Sequence, residues 1–397
     1  MIDKASSIDT VIGHAGNHPE RNFGVVNPPV YHASTIIFPT LQVLLETRRD
    51  RDSGAYEGIT YGREGTPTTR AFEEAITKLE GGYRAVTLPC GLAAIAAALM
   101  SFLRAGDHLL MPDQLYGPAR AFCNDVLKKF GVEVTFYDGR VGAGIAALMK
   151  DNTKVVYLES PGSLTFEMQD VPAIAKAAKA GGAVVVMDNT WASPYFFNPI
   201  EHGVDVVVHA ATKYISGHSD LMLGVAVCRE EVFVRLKATA STSGYCGGPD
   251  DVYNALRGLR TLAVRMRRHN DAALEVAPWL QKRPEVQRVM YPALPDDPGH
   301  AIWKRDFRGA SGLFSFTLGK YSDKALAAFL DHTEIFKLGY SWGGYESLLV
   351  PTYPATLRSS TDWTEEGPSV RIHVGLEAVD DLIRDLDAGL KRLAAAE

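Results

Sequence analysis

From about residue 61, short apolar runs alternate with stretches whose apolar positions recur at helical spacing. The strand candidates are residues 85–88, 108–111, 132–137, 154–159, 183–188, 204–209 and 223–228. Several are rich in Val and apolar at successive positions, so both faces must be buried. Between them, helical periodicity covers residues 67–79, 91–103, 118–130 and 171–180. The last has start and stop signals: Asp170 to cap it, Pro172 in its first turn and Gly181-Gly182 to end it. Such alternation predicts a mostly parallel sheet covered by helices on both faces. Sheets of that kind bind ligands at the carboxyl ends of their strands. That rule points to Asp188, His209 and the residues just beyond.

The flanks read differently. Residues 1–60 have weak periodicity and scattered prolines (Pro19, Pro28, Pro29, Pro39), which suggests an extended arm of the kind that wraps a partner subunit. After about residue 250 comes a basic helical stretch, 251–269, and a second helix candidate ending near Arg283. Strand candidates follow at 286–291, 313–318 and 370–374, and an amphipathic helix at 379–394. The expected division is an arm (1–60), an α/β domain (61–250) and a smaller α+β domain (251–397). There is no internal repeat.

Composition narrows the function. Hydrophobic residues make up 46% and charged residues 22%, which is ordinary globular composition. The formal net charge is −6 and there is no long basic run, which argues against nucleic acid or an anionic membrane as partner. Cys90, Cys123, Cys228 and Cys246 form no C-x-x-C pair and read as reduced, mostly buried thiols. The first ten residues lack the apolar run of a secretory signal, and no window is apolar enough to span a membrane. A cytoplasmic location is therefore expected.

Candidate chemistry gathers at the strand ends. The stretch Ala210-Ala211-Thr212-Lys213-Tyr214 follows an apolar strand, placing Lys213 where it can reach a ligand crevice. A lysine amine held neutral there can form an imine with an aldehyde cofactor. Asp188 closes the run Ala-Val-Val-Val-Met. A carboxylate in that position needs a cation or donors, and a protonated pyridine nitrogen is such a cation. Cys90-Gly91-Leu92 marks a strand-to-helix junction where backbone N–H groups can approach a phosphate. Tyr116, beyond the next strand, can stack on a flat ring. Each feature alone has a plainer reading: a surface lysine, a turn aspartate, a loop glycine.

Together the motifs D188-N-T-W-A, A-T-K213-Y-x-x-G-H-S-D, Y61-G-R63 and Y340-S-W-G-G-Y-E-S347 resemble the Cys/Met-metabolism family of fold-type-I pyridoxal-phosphate enzymes. The resemblance runs from about residue 10 to 390. It implies a seven-stranded, mostly parallel sheet sandwiched by helices, a smaller C-terminal domain and an N-terminal arm. It implies pyridoxal 5'-phosphate held as a Schiff base on Lys213, which then shuttles protons. Asp188 would pair with the pyridine nitrogen, Gly91, Leu92 and Thr212 would hold the phosphate, and Tyr116 would stack on the ring and join Lys213 and Asp188 in catalysis. Tyr61 and Arg63 would reach the phosphate in a neighbouring subunit of a homotetramer, with Tyr61 also near substrate. Arg371 would clamp a substrate α-carboxylate, and Tyr340, Ser341 and Trp342 would line the substrate side. Tyr340-Ser341-Trp342 further resembles the β-acting members. The implied reaction is β-elimination on a thioether amino acid such as cystathionine, giving homocysteine, pyruvate and ammonia. A γ-acting lyase or synthase, or a non-catalytic cofactor-binding regulator, are the alternatives.

Two positions depart from the family pattern. Ala210 and Cys90 stand where many relatives have serine, which removes a phosphate donor or two. Other motifs carry less. Gly142-Ala143-Gly144-Ile145-Ala146-Ala147 fits a loose dinucleotide pattern but reads better as a loop and helix start. There is no H-E-x-x-H, so no metal site is expected. The Met and aromatic residues between Met266 and Trp279 read as core.

Overall fold

The computed structural model describes residues 6–52 and 58–397. Two sheets organise the chain. The first contains β1 (Arg84–Leu88), β2 (His108–Pro112), β3 (Glu133–Tyr137), β4 (Thr153–Glu159), β5 (Val184–Asp188), β6 (Val206–Ala210) and β7 (Gly224–Cys228), in spatial order β1-β7-β6-β5-β4-β2-β3. From β3 through β6 all neighbours are parallel, while β7 runs antiparallel to both β6 and β1. Val155, Val156, Val185, Val186, Val206 and Val207 are fully buried, as strands packed on both faces require.

The covering helices begin where local chemistry supplies a cap. Pro67–Glu80 starts with a reciprocal bond pair between Thr66 and Thr69 and ends on Gly81 in the left-handed conformation. Val171–Ala180 is capped by the Asp170 carboxylate, which accepts the Ala173 N–H at 3.2 Å. Gly91–Phe102 is capped only by a thiol: Cys90 Sγ accepts from Ala93 N–H at 3.4 Å.

The second sheet contains β8 (Val286–Met290), β9 (Leu313–Leu318), β10 (Lys337–Leu338), β11 (Leu348–Thr352) and β12 (Ser369–His373), in order β10-β11-β12-β9-β8. Its strands are antiparallel apart from the short β10–β11 pair. Strand β12 lies inside this sheet, so Arg371 is not an edge charge. A segment after β11 reaches back to the first sheet. Asp113, buried in the turn after β2, accepts the backbone N–H groups of Ser359, Ser360 and Thr361 and the Thr361 hydroxyl at 2.8–3.1 Å. Arg120 pairs with the same carboxylate at 2.5 Å.

Several expectations need correcting. The N-terminal arm is not extended throughout. Ile8–His14 is a helix capped by Ser7 with Ile12 buried, and Leu41–Asp52 is a second helix. Part of the arm, residues 1–5 and 53–57, lies outside the described residues. The basic stretch after residue 250 breaks earlier than its periodicity suggests, giving Pro249–Leu259 and Leu262–Gln281. At that break Gly258 approaches the Ile215 and Ser216 carbonyls so closely that a Cβ would lie 2.4–2.5 Å from them. The helix expected over 118–130 is Gly117–Phe122 followed by a π-turn, Cys123–Leu127. Two of the four cysteines are buried, Cys123 and Cys228, whereas Cys246 is exposed. Among the described residues no helix is long and apolar enough to cross a membrane.

Candidate active site

The carboxyl ends of β4, β5 and β6 lie side by side. Asp188 is the last residue of β5 and is half-buried. Its Oδ1 accepts the backbone N–H of Thr190 at 2.8 Å and the Thr190 hydroxyl at 2.5 Å. Burial raises its carboxyl above the ordinary range, opposed by the Thr190 donors and by the nearby His209 and Lys213 charges. His209, which the strand-end rule also singled out, is spent on buried Glu80 at 2.6 Å.

Lys213 lies three residues past the end of β6, its N–H bonded to the Ala210 carbonyl at 3.0 Å. Its Nζ donates to Ser341 Oγ at 2.5 Å and stands 5.3 Å from the Trp342 ring centroid. Burial, then the charge of Arg371, draws its amine down to about 8, with Asp188 pulling the other way. Neighbouring Thr212 uses its hydroxyl on Leu223, accepting its N–H at 3.0 Å and donating to its carbonyl at 3.2 Å.

Gly91 opens its helix against the end of β6. A Cβ there would meet Ala210 Cβ at 2.6 Å, so both positions must stay small. The first N–H groups of this helix, including those of Gly91 and Leu92, have no intrahelical partner and form an anion cradle. Tyr116 precedes Gly117–Phe122, and its ring is partly exposed. Its N–H donates to Glu159 Oε2 at 2.8 Å. Its phenol is raised by burial and by the nearby Asp188, Glu159 and Cys90, with Arg371 opposing. Glu159, the last residue of β4, was missed in the sequence. The signal that singled out Asp188, a carboxylate closing an apolar strand, applies equally to it.

The second sheet supplies the other wall. Arg371 Nη2 donates to the Ser341 carbonyl at 3.1 Å, and burial draws its guanidinium down to about 10. Ser341 sits at φ +81°, a strained conformation for a serine, which turns its hydroxyl to Lys213 while its carbonyl meets Arg371. Trp342 packs on Tyr214 with ring centroids 5.5 Å apart. Buried His373 accepts the Gly343 N–H at 3.1 Å and so supports the loop from below. Tyr340 is almost wholly exposed.

Two expected residues are not gathered here. Tyr61 and Arg63 line a separate cleft with His32, Ser34, Cys246 and Pro249. Arg63 donates to the Ser241 carbonyl at 2.7 Å and pairs with Glu64 at 2.9 Å. Among the described residues neither touches Lys213, Asp188 or Arg371.

The gathered donor set has a definite chemical fit. An amine drawn toward neutrality suits an aldehyde. A carboxylate at the base of the site suits a pyridinium nitrogen. The glycine-lined helix start, where no Cβ fits, suits a phosphate, and Tyr116 suits a flat ring. Pyridoxal phosphate has these four features at once.

Comparison with known proteins agrees. The family model for Cys/Met metabolism PLP-dependent enzymes matches residues 9–391. A putative cystathionine beta-lyase of Rhizobium johnstonii is 49% identical, each chain covered in full. Cystathionine beta-lyase MetC of Escherichia coli is 43% identical over 99% of this chain and 100% of that one. The crystal structure of cystathionine gamma synthase from Xanthomonas oryzae, 33% identical, superposes with a TM-score of 0.88 over 99% of this chain and 100% of that chain. The chain belongs to the family of pyridoxal-phosphate-dependent enzymes of cysteine and methionine metabolism.

Proposed function

We propose that this chain is a cystathionine β-lyase, converting L-cystathionine and water to homocysteine, pyruvate and ammonia. One observation carries the reading: the Lys213 amine lies between the Ser341 hydroxyl and the Trp342 ring. The names of the relatives at 49% and 43% identity support it. The fold does not choose the bond, since a γ-synthase shares it.

Each residue has a task in this reading. Lys213 would hold the cofactor covalently through its amine, with Asp188 facing the pyridine nitrogen and keeping it protonated. Gly91, Leu92 and Thr212 would receive the phosphate, the Thr212 hydroxyl turning from Leu223 to do so. Tyr116 would cover the ring. The bound cofactor supplies the electron sink for the charge left at Cα. Arg371 clamps the substrate α-carboxylate through its guanidinium. Lys213 Nζ, released by the incoming substrate and neutral, takes the proton from Cα. The Cβ–S bond then breaks, and Nζ returns a proton to the departing sulfur. Ser341 aims the amine, and Trp342 narrows the slot beside Cβ. Chemistry at Cγ needs a second proton removed, from Cβ, and room for a base to reach it. A misplacement of about 1 Å can cost ~100-fold in rate. Incubation with cystathionine and separation of the keto acids tests this: pyruvate should predominate, and mainly 2-oxobutyrate would make the chain γ-acting.

We also infer that the active unit is a dimer, paired into a tetramer, with Tyr61 and Arg63 serving the neighbour's site. Their place in a cleft whose lining does not include this chain's own Lys213 supports that. So does the apolar surface of the arm, where Phe23, Ile37 and Leu41 are exposed. Co-expressed Lys213→Ala and Arg63→Ala chains should recover activity in mixed dimers; folded, assembled mixtures without recovery would refute site sharing. The division into an arm (1–60), a cofactor domain (61–250) and a C-terminal domain (251–397) fits this scheme, with one sheet in each of the last two.

A further inference from the structure

Strand register places a second carboxyl group beside Asp188. Glu159 and Asp188 are paired residues of parallel strands β4 and β5. Such strands lie about 4.8 Å apart, and paired residues point to the same face of the sheet. Both are half-buried and face the site. Tyr116 meets Glu159 directly, its N–H donating to Oε2 at 2.8 Å.

Two carboxylates so placed and partly withdrawn from water repel a second charge, which favours one of them keeping a proton. The partners decide which. Asp188 accepts two hydrogen bonds from Thr190 and stands in the positive fields of His209 and Lys213. Among the described residues Glu159 has backbone donors, from Tyr116 at 2.8 Å and from Ser163, and the charge that bears on it is Asp188 itself. The other titratable groups facing the pair are the Tyr116 and Tyr157 phenols, Cys90 and Arg371. Neither phenol favours a second anion. Burial, and then the charge of Asp188, push Glu159 well above the ordinary carboxyl range.

We propose that Glu159 is a positioning residue that stays neutral beside Asp188, fixing the Tyr116 turn through its backbone N–H and leaving Asp188 the sole anion at the base of the site. The inference rests on the reading that Asp188 faces the pyridine nitrogen. A neutral Glu159 lets the protein hold Tyr116 from below without adding a second negative charge.

Glu159→Gln mimics the neutral acid and keeps an oxygen for the Tyr116 N–H; Glu159→Ala removes it. In the full-length holoenzyme at neutral pH, Glu159→Gln should hold pyridoxal phosphate within about threefold of the parent and keep its absorbance maximum. Glu159→Ala should weaken cofactor binding tenfold or more. Stability gives a readout that hydrogen bonding alone would not move. A carboxyl raised in the folded state makes stability fall as pH rises above the ordinary carboxyl value. Glu159→Gln should therefore melt above the parent, by a margin that widens between about pH 5 and pH 8. A tenfold cofactor loss in folded Glu159→Gln, or parallel melting curves, would overturn the proposal. Should Glu159→Gln fail to fold, the parent's infrared spectrum decides: a protonated-carboxyl band at neutral pH supports the proposal and its absence refutes it. Asp188→Asn separates the two layers: if it leaves cofactor affinity unchanged, the reading of Asp188 itself fails.

Discussion

The two walls of the site are built by different means. The proposed cofactor wall consists of residues at or just past the ends of adjacent strands: Glu159, Asp188 and Lys213. Backbone register pairs Glu159 with Asp188, and the turn that follows neighbouring β6 carries Lys213. The proposed substrate wall consists of Ser341, Trp342 and Arg371, and it depends on long-range tethers. These are the strained turn at Ser341, the bond from Gly343 to His373, and the hold of Asp113 on residues 359–361. A wall set by register is difficult to vary without unfolding the sheet. A wall set by loop tethers can change shape while the sheet stays intact. A family with one cofactor and several bond-breaking outcomes fits that division.

The comparison breaks most visibly at Lys213. Lys213→Ala should lower turnover by at least ~10³-fold, as loss of a central proton-transfer group does. Borohydride should no longer fix the cofactor to the chain, and peptide mapping that still found an adduct on another lysine would refute the assignment. Asp188→Asn should follow, costing ~10²–10³-fold in kcat/KM, the scale of one preorganised electrostatic contact. It should also weaken cofactor binding, measured by absorbance titration.

Changes to the substrate wall should leave the cofactor spectrum alone. Arg371→Lys should cost roughly 10–100-fold in kcat/KM, chiefly through KM, because one ammonium replaces a two-pronged donor. Steady-state kinetics on cystathionine check this, and a fall in kcat alone would place Arg371 elsewhere in the mechanism. The smallest effect should come from the Asp113 tether. Its bonds to Arg120 and residues 359–361 hold this carboxyl far below the ordinary range. A depressed carboxyl stabilises the fold above its unfolded value, about 3.9, and that stability fades as pH falls below it. Asp113→Asn should therefore melt below the parent at neutral pH, with a gap that narrows in acid. A gap constant with pH would show that the charge does not hold the segment.

Legibility in the sequence follows the same division. All seven strands of the first sheet were readable: the inner strands because burial on both faces demands apolar runs, and the partly exposed edge strand β3 from its Val and aromatic residues. The helix Val171–Ala180 was readable to the residue, since aspartate, proline and a glycine pair mark its ends. Glu159 escaped notice because only β5's apolar run was credited with a meaningful terminal acid. Strand β11 was hidden by Pro351, which usually argues against a strand. It is tolerated here because β10 pairs only with Leu348 and Leu349, leaving one side of β11 open beyond them. The break at Arg260-Thr261 was invisible because apolar periodicity continues across it. What forces it is the approach of Gly258 to the turn after Lys213, a contact between distant parts of the chain. The family motifs identified Arg371, Ser341 and Trp342, but their meeting at Lys213 depends on tertiary packing.

The Asp113 tether also bears on how the enzyme is made. The carboxylate and the Ser359 N–H it captures are separated by 246 residues. At ribosomal speeds of roughly 5–20 residues per second, that is roughly 12–50 s of synthesis. Once β7 has been made at Cys228, the rest of that interval is spent with the first sheet fully synthesised and Ser359 still to come. The clasp between the two sheets does not yet exist. On the proposed reading, a newborn chain can therefore complete its cofactor wall before the second sheet is fastened to it.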